Sequence, residues 1–109
     1  MRRGLCVRPR ADRDIDEAAD HYFSEAGIAV ATRFHEAVEQ AWNALCEQPK
    51  LGVTQEWLSS RLRGCRKWHL PKPFQVYQVF YCVTEEVIDI VRVLHGSRDM
   101  EAVFDESDD

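Results

Sequence analysis

No run in this chain of 109 residues approaches the roughly 20 apolar residues that a helix needs to span a bilayer, so no membrane segment is expected. Met1-Arg2-Arg3 is basic, but no apolar stretch of signal-peptide length follows it. The chain has no internal repeat, no low-complexity tract and no linker. Cys6, Cys46, Cys65 and Cys82 are widely spread and form no CxxC pair. Together these absences lead to an expectation of a cytoplasmic protein whose thiols are reduced and serve as small buried apolar groups. Acid is missing from two segments. Met1–Arg10 holds Arg2, Arg3, Arg8 and Arg10 without one, and Ser60–Pro73 holds Arg61, Arg63, Arg66, Lys67 and Lys72 without one.

Hydrophobic residues make up 45% and charged residues 30%, a globular rather than a disordered balance. The length suits one domain over 1–109, with 107–109 as a frayed tail. The net charge is −5, with acids gathered in Asp12–Glu25 and from Asp99 to Asp109. A basic band set against acidic segments predicts one cationic face. The acidic total counts against a protein devoted to RNA.

The richest stretch is Pro73 to Asp99. Phe74–Val83 and Val87–Leu94 are rich in β-branched and aromatic residues, and the polar Thr84-Glu85-Glu86 separates them, which predicts a β-hairpin. Arg92 stands among apolar neighbours, and the run ends in His95-Gly96-Ser97-Arg98-Asp99. Charged groups at the end of an apolar strand belong at an edge, a pocket or an interface, because burying them unpaired is costly.

Upstream, Gly4–Arg8 predicts a short strand, and Pro9 suits the start of a helix. Asp12, Asp14 and Asp16 favour the positive end of its dipole. Ile15, Ala18, Ala19, Tyr22, Phe23 and Ala26 form an apolar stripe, and Gly27 is a natural stop. Val30, Phe34, Ala37, Val38, Ala41, Trp42 and Leu45 predict a second helix that ends by Gln48, before Pro49. The short link predicts a helical hairpin. Pro49–Ser60 reads as a loop, Ser60–Leu70 as a basic strand, and Met100–Glu106 as a short terminal helix. The order predicts a two-layer α+β fold: an N-terminal strand and helical hairpin packed on a mostly antiparallel four-stranded sheet, with the other sheet face less covered.

This layout, with Pro49-Lys50-Leu51-Gly52, Leu62-Arg63, Pro73 through Tyr81 and the ending Val91-Arg92-Val93-Leu94-His95-Gly96-Ser97-Arg98-Asp99, resembles the RelE/ParE superfamily of bacterial toxins, nearer the ParE branch. The resemblance runs from Leu5 to Phe104. It implies the toxin of a type II toxin–antitoxin module that inhibits growth and forms a hetero-oligomer with a cognate antitoxin. Members resembling ParE poison DNA gyrase and are not known as nucleases. Members resembling RelE cleave messenger RNA on the ribosome, and that activity is the alternative. A third possibility is an inert partner that only holds the antitoxin.

Metal-free RNA cleavage needs a base, an acid and cations for the phosphate. Arg61, Arg63, Arg92 and Arg98 could supply the cations and His95 the acid or base, but no Tyr lies beyond Tyr81 and the tail turns acidic. Binding without catalysis is therefore expected, with Arg92, His95 and Arg98 facing the target and Arg61 and Arg63 in support. The alternative for His95 is a strand cap, and for Arg92 an ion pair with Asp89, Asp99 or neither. Trp57, in the loop, either plugs the sheet or anchors the antitoxin. No cofactor and no metal are expected: Cys65 and His69 are on the order of 13 Å apart on a strand, too far for one zinc.

Overall fold

The computed structural model describes residues 3–54 and 64–96 and lays two helices on a mixed five-stranded sheet. Strand β1 is Gly4–Val7. Pro9 then opens helix α1, Pro9–Ala26, where its fixed φ and missing N–H do no harm. Gly27 ends the helix at φ 91°, a conformation open to glycine, and its amide donates to the Phe23 carbonyl at 3.0 Å. Helix α2, Ile28–Glu47, starts at the next residue, so the predicted helical hairpin turns on one glycine.

Strands β2 (Val53–Thr54), β3 (Arg66–His69), β4 (Tyr77–Val83) and β5 (Val87–His95) complete the sheet in the order β1-β5-β4-β3-β2. β1 runs parallel to β5, and the other pairs are antiparallel. The sheet thus has one strand more than expected. β2 lies inside the stretch read as a loop, and two residues are too few to show a period of two. The basic strand is shorter than Ser60–Leu70, and residues 60–63 and the expected terminal helix lie outside the described residues.

The helices lie chiefly over β5 and β1. α2 buries Phe34, Ala37, Val38, Ala41 and Leu45, the stripe its spacing predicts. α1 departs from expectation near its end. It buries Ala11, Asp14, Ile15, Ala18 and Ala19, but Phe23 is 57% exposed and Ala26 is exposed as well, while Tyr22 carries the inward contacts of the last turns. Tyr22, Phe34 and Phe74 pack together there with ring centroids 5.2–5.4 Å apart.

The β3–β2 side lies away from the helices and is tied down through Tyr81. Its buried hydroxyl donates to the Pro49 carbonyl and accepts from the Gly52 amide, both at 2.8 Å. Arg66 Nη1 donates to the Gly52 carbonyl at 2.7 Å. A Cβ on Gly52 would meet the Tyr81 hydroxyl oxygen at 2.5 Å and the Lys67 carbonyl oxygen at 2.8 Å, so this position needs glycine for close approach. The Pro-x-x-Gly motif is therefore a clasp on the sheet. Burial pushes the Tyr81 phenol up from its usual value of 10, while the Gly52 bond and the Arg66 charge pull it partly back.

Tyr81→Phe should leave a buried carbonyl and amide without partners and lower stability in urea by about 1–3 kcal/mol. A raised phenol adds stability that is complete below the unfolded value of about 10 and is lost as pH climbs through the folded one. Stability in urea should accordingly begin to fall near pH 10, where a peptide phenol ionises, and ionisation of the folded Tyr81 phenol should come at higher pH. Unchanged stability in Tyr81→Phe would show that the clasp is idle.

Candidate functional site

The site expected at the end of β5 is built by the strand outlasting its neighbour. β1 stops pairing at Val7, opposite Ile90, and the Arg8 amide makes the last bond to the Ile90 carbonyl at 3.0 Å. The chain then turns into α1, while β5 continues to His95. Among the described residues no strand pairs with the outer edge of β5 beyond Ile90, and Asp14 of α1 bonds there instead. One carboxylate oxygen, Oδ2, accepts the Val93 amide at 3.1 Å and Arg92 Nε at 2.7 Å. The other, Oδ1, accepts Arg92 Nη2 at 3.0 Å.

A register shift prepares this contact. Phe80 pairs with Arg92 and Tyr81 with Ile90, so Val91 is an extra residue in β5. Such a bulge reverses the alternation beyond it. Ile88, Ile90 and Val93 share the helix-side core, whereas Val91 and Leu94 join Phe80 in a second cluster.

Arg92 is therefore not where the sequence reading put it. The expectation was a guanidinium outside the packed interior. Arg92 is 2% exposed and closed by a bidentate pair with Asp14, itself 6% exposed. Its partner is neither Asp89 nor Asp99. Asp89 instead accepts Arg8 at 2.8 and 3.2 Å, and Asp99 lies outside the described residues. Arg10 Nη1 adds a second cation 3.5 Å from Asp14 and 3.7 Å from Glu17, within ionic range but without a hydrogen bond. Asp14 is the residue the sequence reading missed as a partner. A signal for it exists: it falls three residues after Ala11 and four before Ala18, on the buried stripe.

His95 ends β5 half-buried, its ring edge against Tyr77 with centroids 5.3 Å apart. The turn after it is held by the Gly96 amide, which donates to the Val76 carbonyl at 2.7 Å. His95, Tyr77, Glu17 and His21 line an open crevice of about 140 Å³ between α1 and the end of β5. Two imidazoles, a phenol and a carboxylate there can exchange hydrogen bonds with a protein surface. Among the described residues, no group of three or more His, Cys, Asp or Glu side chains could hold a metal ion, and no helix is long and apolar enough to cross a membrane.

Trp57, Arg61, Arg63 and Arg98 lie outside the described residues. The described cations near the sheet have intramolecular partners in several cases: Arg3 Nε donates to the Thr84 carbonyl, Arg8 pairs with Asp89 and Arg66 binds Gly52. The cysteine expectation also needs correction. Cys65, just before β3, and Cys82 of β4 form a disulfide, Cys6 is exposed, and only Cys46 is a free buried thiol. A separation of 17 residues gives no local spacing signal. The cross-strand register creates the pair.

A family model described as "ParE toxin of type II toxin-antitoxin system, parDE" matches residues 6–100. Among solved structures, the chain is similar to one from the chromosomal ParDE toxin–antitoxin system of P. aeruginosa, with 19% identity, a TM-score of 0.69, and 85% of this chain and 95% of that one covered. It is also similar to a mutant of the E. coli toxin RelE in the free state, with 18% identity, a TM-score of 0.59, and 97% and 94% covered. No curated protein matches the sequence.

Arg92→Ala should strip a buried carboxylate of its charge partner and lower stability by about 3–5 kcal/mol, measured by urea unfolding. Asp14→Ala should do likewise, and the double variant should lose much less than the two added together. Full stability in Arg92→Ala would return that residue to the surface role first expected of it.

Proposed function

Since the chain belongs to the ParE toxin family of type II toxin–antitoxin systems, we propose that it inhibits DNA gyrase by binding it, without catalysis, and is neutralised by a cognate antitoxin. The family match over residues 6–100 carries this reading. The interior supports binding rather than nuclease chemistry in one respect. A phosphoryl transition state needs an accessible cation, and the Nε–Nη2 edge of Arg92 is closed by Asp14. The proposed target-facing residues are His95 and Arg98, supported by Arg61 and Arg63. Arg92 acts as a positioning residue, holding the end of β5 through Asp14. Trp57 is proposed as an antitoxin anchor, since buried aromatics and arginines dominate protein interfaces. A cytoplasmic location follows from the target.

Expression without antitoxin tests the whole reading. Gyrase poisoning gives DNA breaks and an SOS response, and purified protein inhibits supercoiling by gyrase. Cut transcripts with halted translation would replace this reading with the RelE-like messenger RNA endonuclease on the ribosome, and normal growth would leave an inert antitoxin-binding protein. Arg61→Ala, Arg63→Ala, His95→Ala and Arg98→Ala should each weaken gyrase binding by about tenfold, roughly 1.4 kcal/mol, with melting temperature unchanged. Trp57→Ala should weaken antitoxin binding by a similar factor in a folded protein.

A further inference from the structure

We propose that Cys65 and Cys82 form a reversible redox modification site, reduced by small thiols of the glutathione class, that latches β3 to β4. The proposal goes beyond the toxin reading and needs only that the chain meets such thiols.

The pair stands at a defined place in the sheet. Arg66 lies opposite Tyr81, so Cys65 and Cys82 are the next cross-strand pair, with Cα atoms 4.3 Å apart. That matches the close spacing of about 4.5 Å at a non-hydrogen-bonded antiparallel pair, where side chains approach most nearly. The strands themselves bring the two sulfurs together, so the thiols remain neighbours once the bond is open. The cysteines lie with Phe80, Val91 and Leu94 in the second cluster, away from the helix-side core.

The two sulfurs differ in access. Cys65 is 1% exposed, whereas Cys82 is half-buried. A glutathione thiolate attacks the Cys82 sulfur, forms a mixed disulfide there and expels Cys65 as a thiolate, which takes up a proton. A second glutathione thiolate attacks the glutathione sulfur of that mixed disulfide and releases Cys82, which is protonated in turn. One protein disulfide and two small thiols thus become a protein dithiol and one oxidised glutathione. Oxidised glutathione drives the reverse. Lys67, two residues from Cys65 and on the same sheet face by register, favours the departing thiolate.

The latch has something to control. The helices lie chiefly over β5 and β1, so the β3–β2 side depends on pairing with β4 and on the Tyr81 clasp. The bond closes a loop across 17 positions at the start of β3, the strand that carries Arg66 and Lys67. Cutting it restores chain entropy to the unfolded state and releases the start of the basic strand first.

The full chain is incubated in glutathione buffers running from oxidised to reduced, then alkylated and weighed. With alkylation done in denaturant, only Cys6 and Cys46 are expected to carry an alkyl group or a glutathione in the oxidised form, and four alkylated thiols are expected in the reduced form. The melting temperature should fall by about 10 °C on reduction, and β3 amides should exchange with deuterium faster, ahead of those in β5. A Cys65→Ser, Cys82→Ser variant should match the melting and β3 exchange of the reduced protein in every buffer. Four alkylated thiols in the fully oxidised buffer would overturn the proposal. So would a bond that resists millimolar reduced glutathione, or reduction that leaves melting and β3 exchange unchanged. Gyrase inhibition is not part of the readout, so this proposal and the toxin reading fail separately.

Discussion

The backbone amide of Val93 has to be satisfied where β5 runs on past the end of β1, and the Asp14 carboxylate is what satisfies it. Much of the structure follows from that. A carboxylate carried into the interior needs a counter-charge, and Arg92, beside the same amide, supplies it with two N–H groups. The pair fixes where α1 lies along β5, because moving Asp14 by one residue would break three bonds together. An apolar pair of the same volume would serve stability as well or better. It would not specify where the helix stops sliding, nor accept the Val93 amide.

With α1 fixed over β5, the sheet divides into two regimes. β5 and β1 lie under the helices, and the main core joins the helix stripes to Ile88, Ile90 and Val93 of β5 and Val79 and Tyr81 of β4. The β3–β2 side instead has discrete ties: the Tyr81 hydroxyl between Pro49 and Gly52, the Arg66 bond to the Gly52 carbonyl, and the Cys65–Cys82 bond. Packing yields gradually as atoms are removed. A tie made by one hydroxyl or one sulfur pair is present or absent. The side bearing the basic strand is thus the side where one chemical change alters the local structure.

Local features were readable in the sequence and contacts between distant residues were not. The α2 stripe, Pro9 and Gly27 as helix boundaries, and the Thr84-Glu85-Glu86 turn all act within a few residues, and each took its expected place. Phe23 stays exposed because Tyr22, its neighbour, takes the inward position against Phe74 and Tyr77, and a stripe read by spacing alone does not choose between the two. β5 was readable as a strand, but the bulge at Val91 was not. A strict period of two puts Arg92 on the helix side with Ile88 and Ile90, and the inserted residue gives that place to Val93. The partner of Arg92 lies 78 residues away, and the Cys65 partner comes from strand register. Asp14 was read as a dipole residue because the first turns of a helix attract acids for that reason too.

The Arg92 result bears on how charge in such a strand is interpreted. An arginine among β-branched residues signals that some energetic cost has been met, and the sequence is silent on whether a partner molecule or the protein itself meets it. Here the protein meets it, with both carboxylate oxygens engaged at 2.7 and 3.0 Å. A guanidinium closed on its Nε–Nη2 edge and 2% exposed is out of reach of an outside phosphate or carboxylate, and opening it would strand Asp14 in the interior. Charges that read a partner are then sought outside the buried run of β5. Under the proposed reading those are Arg98 beyond β5 and Arg61 and Arg63 before β3, with His95 at the boundary where the buried strand meets the crevice. Asp14 and Arg92 contribute by holding the end of β5 in place, so that this boundary has a fixed position against which a partner can be recognised.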